Sequence, residues 1–509
     1  MTNADLAHQL FKALKKLSVR EIIVCAGARN FPIVHHLEKQ SFEVTSYFEE
    51  RSASFYALGR IKASSRPVAI VVTSGTAVSE LYSAVIESYY QGQPLIVITA
   101  DRPKHFRGSG SPQTIDQVGL FRGYVSDCLD WDYQTTDFTI NYQSYRPLHI
   151  NLCFDEPLKD EVTYFDSEIN IVSHKQQKPM WPSEQVIENP LLIVSDIPAS
   201  FRDSVEIFIN QNKVFSYFEF LSGLTATDQI KDYVITEEGE LDQLIQSKKI
   251  KSIIRVGGVP TARVWRDLEK KYAVLPIYHF SEGEFAGHST QRTIYDLESV
   301  LKTKIQLTDY SRTLNNKLVS VQKIIRDYPM SEQAWMGRIK ESALSKNIYL
   351  GNSLPIRMWD FVSGSQPHDI NPYANRGANG IDGQISTYLG WAKSFEESWC
   401  LLGDLTTMYD LAALGLAAEN NNKLRIVIMN NSGGQIFNRI FGNEKFLNHQ
   451  NVQFKYWAQM WGWNYLSVSQ LSDLDILKKH PEKKLIVEVF IDKNQTQSVW
   501  AEYDKRWKE

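Results

Sequence analysis

The sequence predicts an α/β protein of parallel sheets arranged in three units, and three observations carry that prediction. Short apolar runs of strand length recur at 21–25, 68–73, 94–100, 190–194, 250–256, 399–402, 424–429 and 484–490. Segments long enough for helices separate them, the alternation expected of doubly wound parallel sheets. At 509 residues the chain is also too long for one hydrophobic core.

The elements follow in order. An amphipathic pattern over 4–17, broken by Asp5, His8, Lys12, Lys15 and Lys16, reads as a helix and not as a signal peptide. The strand at 21–25 runs into a glycine-containing turn at 27–30, and the strand at 68–73 into Ser74-Gly75-Thr76 and a helix from about 77 to 90. The strand at 94–100 ends in Asp101-Arg102-Pro103. A Pro/Gln/Lys stretch at 174–184 opens the second unit, 310–327 reads as a connecting helix, and the alternation then resumes. The boundaries expected are 1–178, 179–330 and 331–509.

Composition excludes several classes. Hydrophobic residues at 43% and charged residues at 22% are ordinary for a globular chain, and a net charge of −4 gives no basic face for nucleic acid. Four scattered cysteines, Cys25, Cys128, Cys153 and Cys400, fit neither a disulfide framework nor a zinc site, so a reducing, cytoplasmic setting is expected. No apolar run approaches the ~18 residues of a membrane span. His35, His36 and the other nine histidines read as surface or packing residues.

The chemistry concentrates at two turns. Gly403-Asp404-Leu405 and Asn430-Asn431-Ser432-Gly433-Gly434 each follow an apolar strand, with Asp404 and Asn431 27 residues apart. One helix and one strand fill that interval, which would set both turns side by side at the end of a sheet, where ligands collect. A carboxylate from Asp404, an amide oxygen from Asn431 and the Gly433 carbonyl form a hard-oxygen set suited to Mg²⁺ on a diphosphate, while glycines admit close backbone approach. Taken singly, each is an ordinary strand-to-helix turn; the pair is more specific. Gly-Asp followed at this spacing by Asn-Asn is similar to the diphosphate signature of thiamine-diphosphate (ThDP) enzymes, except that Leu405 stands where many members have a second glycine. The resemblance implies the ThDP-enzyme fold, with pyrimidine-binding, middle and diphosphate-binding domains.

It also implies a glutamate that hydrogen-bonds the cofactor's aminopyrimidine ring. Glu50, in Ser46-Tyr-Phe-Glu-Glu-Arg51 before a small-residue helix, is in phase with that motif, and Glu49 is its rival. Phe48 and Phe55 are expected to desolvate Glu50 and favour the neutral acid; the plainer reading is a carboxylate at a helix N-terminus.

Thr73-Ser-Gly-Thr-Ala77, Thr99-Ala-Asp-Arg-Pro103, Asn375-Arg-Gly-Ala-Asn-Gly-Ile-Asp-Gly383, Gly403-Asp-Leu-Thr-Thr-Met-Tyr-Asp-Leu411 and Asn430-Asn-Ser-Gly-Gly-Gln-Ile-Phe437 narrow the resemblance to the MenD family. That family makes 2-succinyl-5-enolpyruvyl-6-hydroxy-3-cyclohexene-1-carboxylate (SEPHCHC) for menaquinone. The resemblance implies decarboxylation of 2-oxoglutarate on ThDP with Mg²⁺ or Mn²⁺, then 1,4-addition of the succinyl unit to isochorismate. It further implies a homodimer or homotetramer in which Glu50 reaches a neighbour's cofactor. Both substrates are dicarboxylates, and Arg29, Arg102, Arg263, Arg357 and Arg376 recur in or beside the candidate turns, as bidentate carboxylate binding requires.

By the same resemblance Ser353, Arg357 and Arg376 grip the 2-oxoglutarate part, Arg29 and Arg263 meet the isochorismate carboxylates, and Arg102 supports them. Gln113 lies near the reacting carbon, and Ile381 is the apolar wedge under the cofactor. Ile436 and Phe437 line the second-substrate pocket; Ser74, Gly75, Thr76, Gly403, Leu405, Gly434 and Gln435 complete the cofactor set. Ala28, Pro112 and Ala262 depart from the family's usual Ser, Asn and Lys. Two alternatives stand beside this reading: another ThDP-dependent 2-oxo acid lyase or synthase, and a non-catalytic diphosphate-binding paralogue. A nicotinamide oxidoreductase ranks last because no Gly-x-Gly-x-x-Gly follows the first strand.

Overall fold

The computed structural model describes residues 1–508 apart from 164, 312–320, 343–344, 363–368, 439–442, 471–473, 475–476 and 478–479. Three six-stranded sheets organise it, and every pairing in them is parallel. The first contains β1 (Glu21–Val24), β2 (Glu43–Ser46), β3 (Val68–Val72), β4 (Leu95–Asp101), β5 (Cys128–Trp131) and β6 (Leu148–Cys153), ordered β2-β1-β3-β4-β6-β5. The second contains β7 (Pro190–Val194), β8 (Phe215–Phe218), β9 (Val234–Ile235), β10 (Ser252–Val256), β11 (Ile277–Phe280) and β12 (Ile294–Tyr295), ordered β9-β8-β7-β10-β11-β12. The third contains β13 (Asn347–Leu350), β14 (Asn371–Tyr373), β15 (Glu397–Gly403), β16 (Lys423–Asn430), β17 (Asn464–Val468) and β18 (Lys484–Phe490), ordered β14-β13-β15-β16-β18-β17.

These orders explain why the strands read as continuous apolar runs. β3, β4, β7 and β10 are buried at every position, because a central parallel strand is covered on both faces. The doubly wound parallel architecture expected from the alternation is therefore present.

The described chain packs into two compact units. The first holds Met1–Gln176, Asn375–Glu396 and Met408–Asn421; the second holds Gln177–Ala374, Glu397–Thr407 and Asn422–Glu509. Two stretches from the C-terminal third therefore pack with the N-terminal sheet. Within the first unit the helix Gln384–Ala392 lies against the helix Glu50–Ser64 so closely that each has a glycine at the contact. A Cβ on Gly59 would fall 2.0 Å from the Thr387 carbonyl oxygen, and one on Gly390 2.1 Å from that of Tyr56.

Two local expectations need correction, and a third is met in its described part. The helix expected over 77–90 is two, Thr76–Ser79 and Tyr82–Gln91. The interval from Asp404 to Asn431 is not filled by one helix: Asp404–Met408 is followed by the 3-10 turn Ala413–Ala417. Asp410 between them is fully buried and accepts from the Ser386 amide at 2.8 Å and its hydroxyl at 3.0 Å, a tie that a continuous helix would not serve. Of the connecting helix at 310–327, Val321–Arg326 is helical, whereas 312–320 lie outside the described residues.

Candidate active site

The third sheet sets the two signature turns side by side. β15 and β16 pair in parallel with Gly403 opposite Met429, so the chain leaves both strands at the same end of the sheet. Asp404 opens the helix Asp404–Met408 and is 2% exposed. Its Oδ1 accepts from the Leu405 amide at 2.8 Å, and its Oδ2 accepts from the Gly433 amide and from Gln450 Nε2, both at 2.8 Å. Ser432 at φ +59° and Gly433 at φ +129° fold the second turn back toward that carboxylate. A Cβ on Gly433 would lie 2.6 Å from the Leu447 carbonyl oxygen, so glycine is required there by space as well as by conformation.

Asn431 is 5% exposed, and its Nδ2 donates to Glu332 Oε2 at 3.1 Å. Its Oδ1 is buried with no hydrogen-bond partner. A buried amide oxygen left without a donor, beside a carboxylate, is the arrangement a hard cation satisfies. Burial pushes the Asp404 carboxyl up, against the lowering effect of its hydrogen bonds from Gln450, Gly433 and Leu405. Burial likewise pushes Glu332 up to about 7, with the Asp404 charge adding to the shift. Glu332 Oε1 and Gln435 Nε2 are also buried without a hydrogen-bond partner, the latter a donor available to a ligand oxygen. Leu405 and Ile436 are half-buried, Gly434 is buried, and Phe437 is 37% exposed.

In the first unit Glu49 and Glu50 have separate surroundings. Glu49 caps the helix Glu50–Ser64, accepting from the Arg51 and Ser52 amides, each at 3.1 Å, and from the Ser52 hydroxyl. The capping role weighed for Glu50 thus belongs to Glu49. Burial, followed by the charges of Glu49 and Glu80, raises the Glu50 carboxyl above the usual range. Phe55 is buried, but Phe48 is 69% exposed, so the expectation that Phe48 desolvates Glu50 is not met.

The Ser74-Gly75-Thr76 turn lies against the loop after β4. The Gly75 amide donates to Gln117 Oε1 at 3.3 Å, and a Cβ on Gly75 would fall 3.1 Å from Gln113 Cα. Gln113 itself sits at φ +55°. Arg102 Nε donates to the Pro112 carbonyl at 3.1 Å, so the proline that departs from the family pattern still anchors this arginine. Arg29 is 8% exposed and donates to the Phe154 carbonyl at 3.1 Å. Burial and then the neighbouring Arg102 charge lower its pKa, which places two cations close together. Arg376 and Ile381 belong to this unit as well.

In the second unit Ser353 is the N-cap residue of the helix Leu354–Phe361, which carries Arg357. Ser353 holds φ +76° and ψ −125°, a conformation rare for a non-glycine residue and common at functional sites. Arg357 Nη1 donates to its carbonyl at 2.8 Å. Arg263 opens the helix Arg263–Asp267, and two carboxylates hold the backbone around it. Glu219 accepts from the Thr261 amide at 2.6 Å and the Ala262 amide at 2.8 Å, and Glu238 from the Val264 amide at 3.0 Å. The Arg263 side chain is 69% exposed.

The structure thus brings Asp404, Asn431 and Gly433 together, and separately Arg29, Arg102, Gln113 and the 74–76 turn. It groups Arg376 with the first unit and Ser353 and Arg357 with the second. Glu332, Gln450, Glu219 and Glu238 escaped sequence reasoning. Glu332 meets Asn431 across 99 residues of sequence, and no spacing rule signals that. Among the described residues no group of three His, Cys, Asp or Glu side chains is placed to hold a metal.

Comparison with known proteins gives a consistent picture. Residues 4–120 match the family model described as thiamine pyrophosphate enzyme, N-terminal TPP binding domain. A 2-succinyl-5-enolpyruvyl-6-hydroxy-3-cyclohexene-1-carboxylate synthase of Bdellovibrio bacteriovorus is 40% identical over 539 aligned positions, covering 100% of both chains. The protein of that name in Akkermansia muciniphila is 33% identical over 94% of each chain, and that of Staphylococcus aureus 29% identical over 92% of each.

Proposed function

Because the chain belongs to the SEPHCHC synthase family, we infer that it performs that family's reaction in menaquinone biosynthesis. It is a ThDP-dependent transferase that decarboxylates 2-oxoglutarate and adds the succinyl carbanion equivalent to isochorismate in a 1,4 sense. The end-to-end match to the synthase carries this conclusion, and it displaces both the other ThDP lyases and the non-catalytic paralogue.

The residues fit the cofactor on a structural observation: Asn431 Oδ1 is buried without a hydrogen-bond partner, two residues before the Gly433 amide that donates to Asp404. Asp404, Asn431 and the Gly433 carbonyl would hold Mg²⁺ or Mn²⁺, and Gly403, Leu405, Gly434 and Gln435 would line the diphosphate. Ser74, Gly75, Thr76 and Ile381 would meet the rings. ThDP, when bound, supplies a nucleophilic carbon and a sink for the electron pair left as CO₂ departs.

The chain's own residues do the remaining work. Glu50, its carboxyl raised by burial, holds a proton on a carboxyl oxygen for a cofactor ring nitrogen. Ser353, Arg357 and Arg376 grip the 2-oxoglutarate-derived part. Arg29, Arg102 and Arg263 take the isochorismate carboxylates, and a carboxylate between Arg29 and Arg102 offsets both the burial and the neighbouring charge that lower Arg29. Gln113 orients the acceptor near the reacting carbon, and Ile436 and Phe437 give the second-substrate pocket its apolar wall.

The test is isochorismate consumption with 2-oxoglutarate, with and without ThDP and divalent metal. Turnover of pyruvate alone, or turnover indifferent to ThDP, would overturn the reading. Asp404→Ala should weaken metal-dependent ThDP binding by at least about tenfold, since it removes a charged ligand; calorimetry showing unchanged affinity would take Asp404 out of the site.

The same reading places pyrimidine-binding, middle and diphosphate-binding domains at 1–178, 179–330 and 331–509. It makes the protein a cytoplasmic homodimer or homotetramer, which the exposure of Phe48 only two residues from Glu50 supports. Sedimentation at the monomer mass would remove the oligomer. No helix among the described residues is long and apolar enough to cross a membrane.

A further inference from the structure

We propose that Glu87 is a positioning residue for substrate binding: it fixes the turn that carries Arg376. This rests on the reading that Arg376 grips the 2-oxoglutarate-derived carboxylate.

Glu87 lies in the helix Tyr82–Gln91 and is 3% exposed. A carboxylate so deeply buried is costly unless donors surround it. Its backbone donors are the two amides that follow Arg376. Oε1 accepts from Gly377 N at 2.7 Å and Oε2 from Ala378 N at 2.7 Å. The fork thus spans two successive N–H groups, a geometry that sets the direction of the backbone as well as its distance.

The residue before Arg376 is held too. Gln91, one helical turn beyond Glu87, donates from Nε2 both to Glu87 Oε1 and to Asn375 Oδ1, the latter at 3.2 Å. Asn375 Nδ2 donates in turn to Thr387 Oγ1 at 2.9 Å. Positions 375, 377 and 378, on either side of Arg376, are therefore each tied to a helix, which sets where the backbone presents that arginine. Gly377 belongs to the same device. A Cβ there would fall 2.5 Å from the Glu87 carbonyl oxygen and 3.1 Å from its carboxyl carbon, so any side chain at 377 would push the fork away. All these residues lie within the first compact unit.

The experiment uses the full-length holoenzyme. Glu87→Gln keeps the shape but turns one acceptor into a donor that faces an amide N–H, so one arm of the fork is lost. KM for 2-oxoglutarate should rise about tenfold, while kcat falls less than about threefold and KM for isochorismate stays within about twofold, since a misplaced binding group weakens the substrate it meets. Gly377→Ala should reproduce that pattern from the other side and serves as the second variant if Glu87→Gln folds poorly. In an Arg376→Lys background, Glu87→Gln should add little further to KM, because the two act on one contact. Unchanged KM for 2-oxoglutarate in Glu87→Gln and Gly377→Ala, or equal increases for both substrates, would overturn the positioning role. Unchanged KM in Arg376→Lys alone would instead show that the assignment of Arg376, on which the proposal rests, is wrong.

Discussion

Glu49 commits its carboxylate to the Arg51 and Ser52 amides, and its neighbour Glu50 is thereby left half-buried with a raised pKa. Two adjacent acids of the same type are separated by what surrounds them, one as a cap and the other as the proposed partner of the cofactor ring. Glu50→Gln is expected to lower turnover by at least about a hundredfold, the scale of a lost proton-transfer partner, while ThDP binding remains measurable by calorimetry. Near wild-type turnover in that variant would move the role to another residue. The sequence identified Glu50 from its phase in a motif. It did not show Phe48 pointing outward, because exposure depends on what packs over a side chain.

Among elements, the tightest constraint is the pair of helices Glu50–Ser64 and Gln384–Ala392. Gly59 and Gly390 let the two backbones approach to a distance at which a Cβ does not fit. The first of these helices is buried over nearly its whole length from Ser52 to Ile61, so it has no free face on which to slide away. Gly59→Ala is expected to destabilise the enzyme by about 1–3 kcal/mol, the usual cost of overpacking, read as a lower urea midpoint. A midpoint equal to wild type would mean that the helices separate easily. The helix at 50–64 was legible from its small-residue run, whereas its partner was not. The same limit applies to the interval from Asp404 to Asn431, whose length fits one helix but whose buried Asp410 forces a break.

For the whole molecule, each unit carries a fully buried histidine in a sheet. His149 contacts Thr99 Oγ1 at 2.8 Å, and His279 contacts the Gln291 carbonyl at 2.7 Å. Burial lowers both from 6.5 to about 3. The folded pKa lies below the unfolded one, so the unfolded chain binds the extra protons. The corresponding stability is present above pH 6.5 and is lost as pH falls toward 3. The slope reaches about 1.4 kcal/mol per pH unit for each histidine. Urea midpoints should therefore drop between pH 7 and pH 5, and His149→Gln should make that drop shallower. An unchanged slope in the variant would show that His149 does not drive it.

By itself the sequence determined the alternation of apolar strands and helices, the Gly-Asp and Asn-Asn-Ser-Gly-Gly turns, and hence the fold and cofactor class. These are short-range properties: burial on both faces of a strand demands a continuous apolar run, and a turn against a phosphate demands glycine and small polar residues. Tertiary structure alone decided that Glu332 meets Asn431 and that Glu87 meets Gly377, 290 positions away. A hydrogen bond between distant segments leaves no periodicity in the chain, and a carboxyl's pKa is set by neighbours from other segments. The residue types of the candidate site were therefore legible in the sequence, but the groups that hold those residues in place were not.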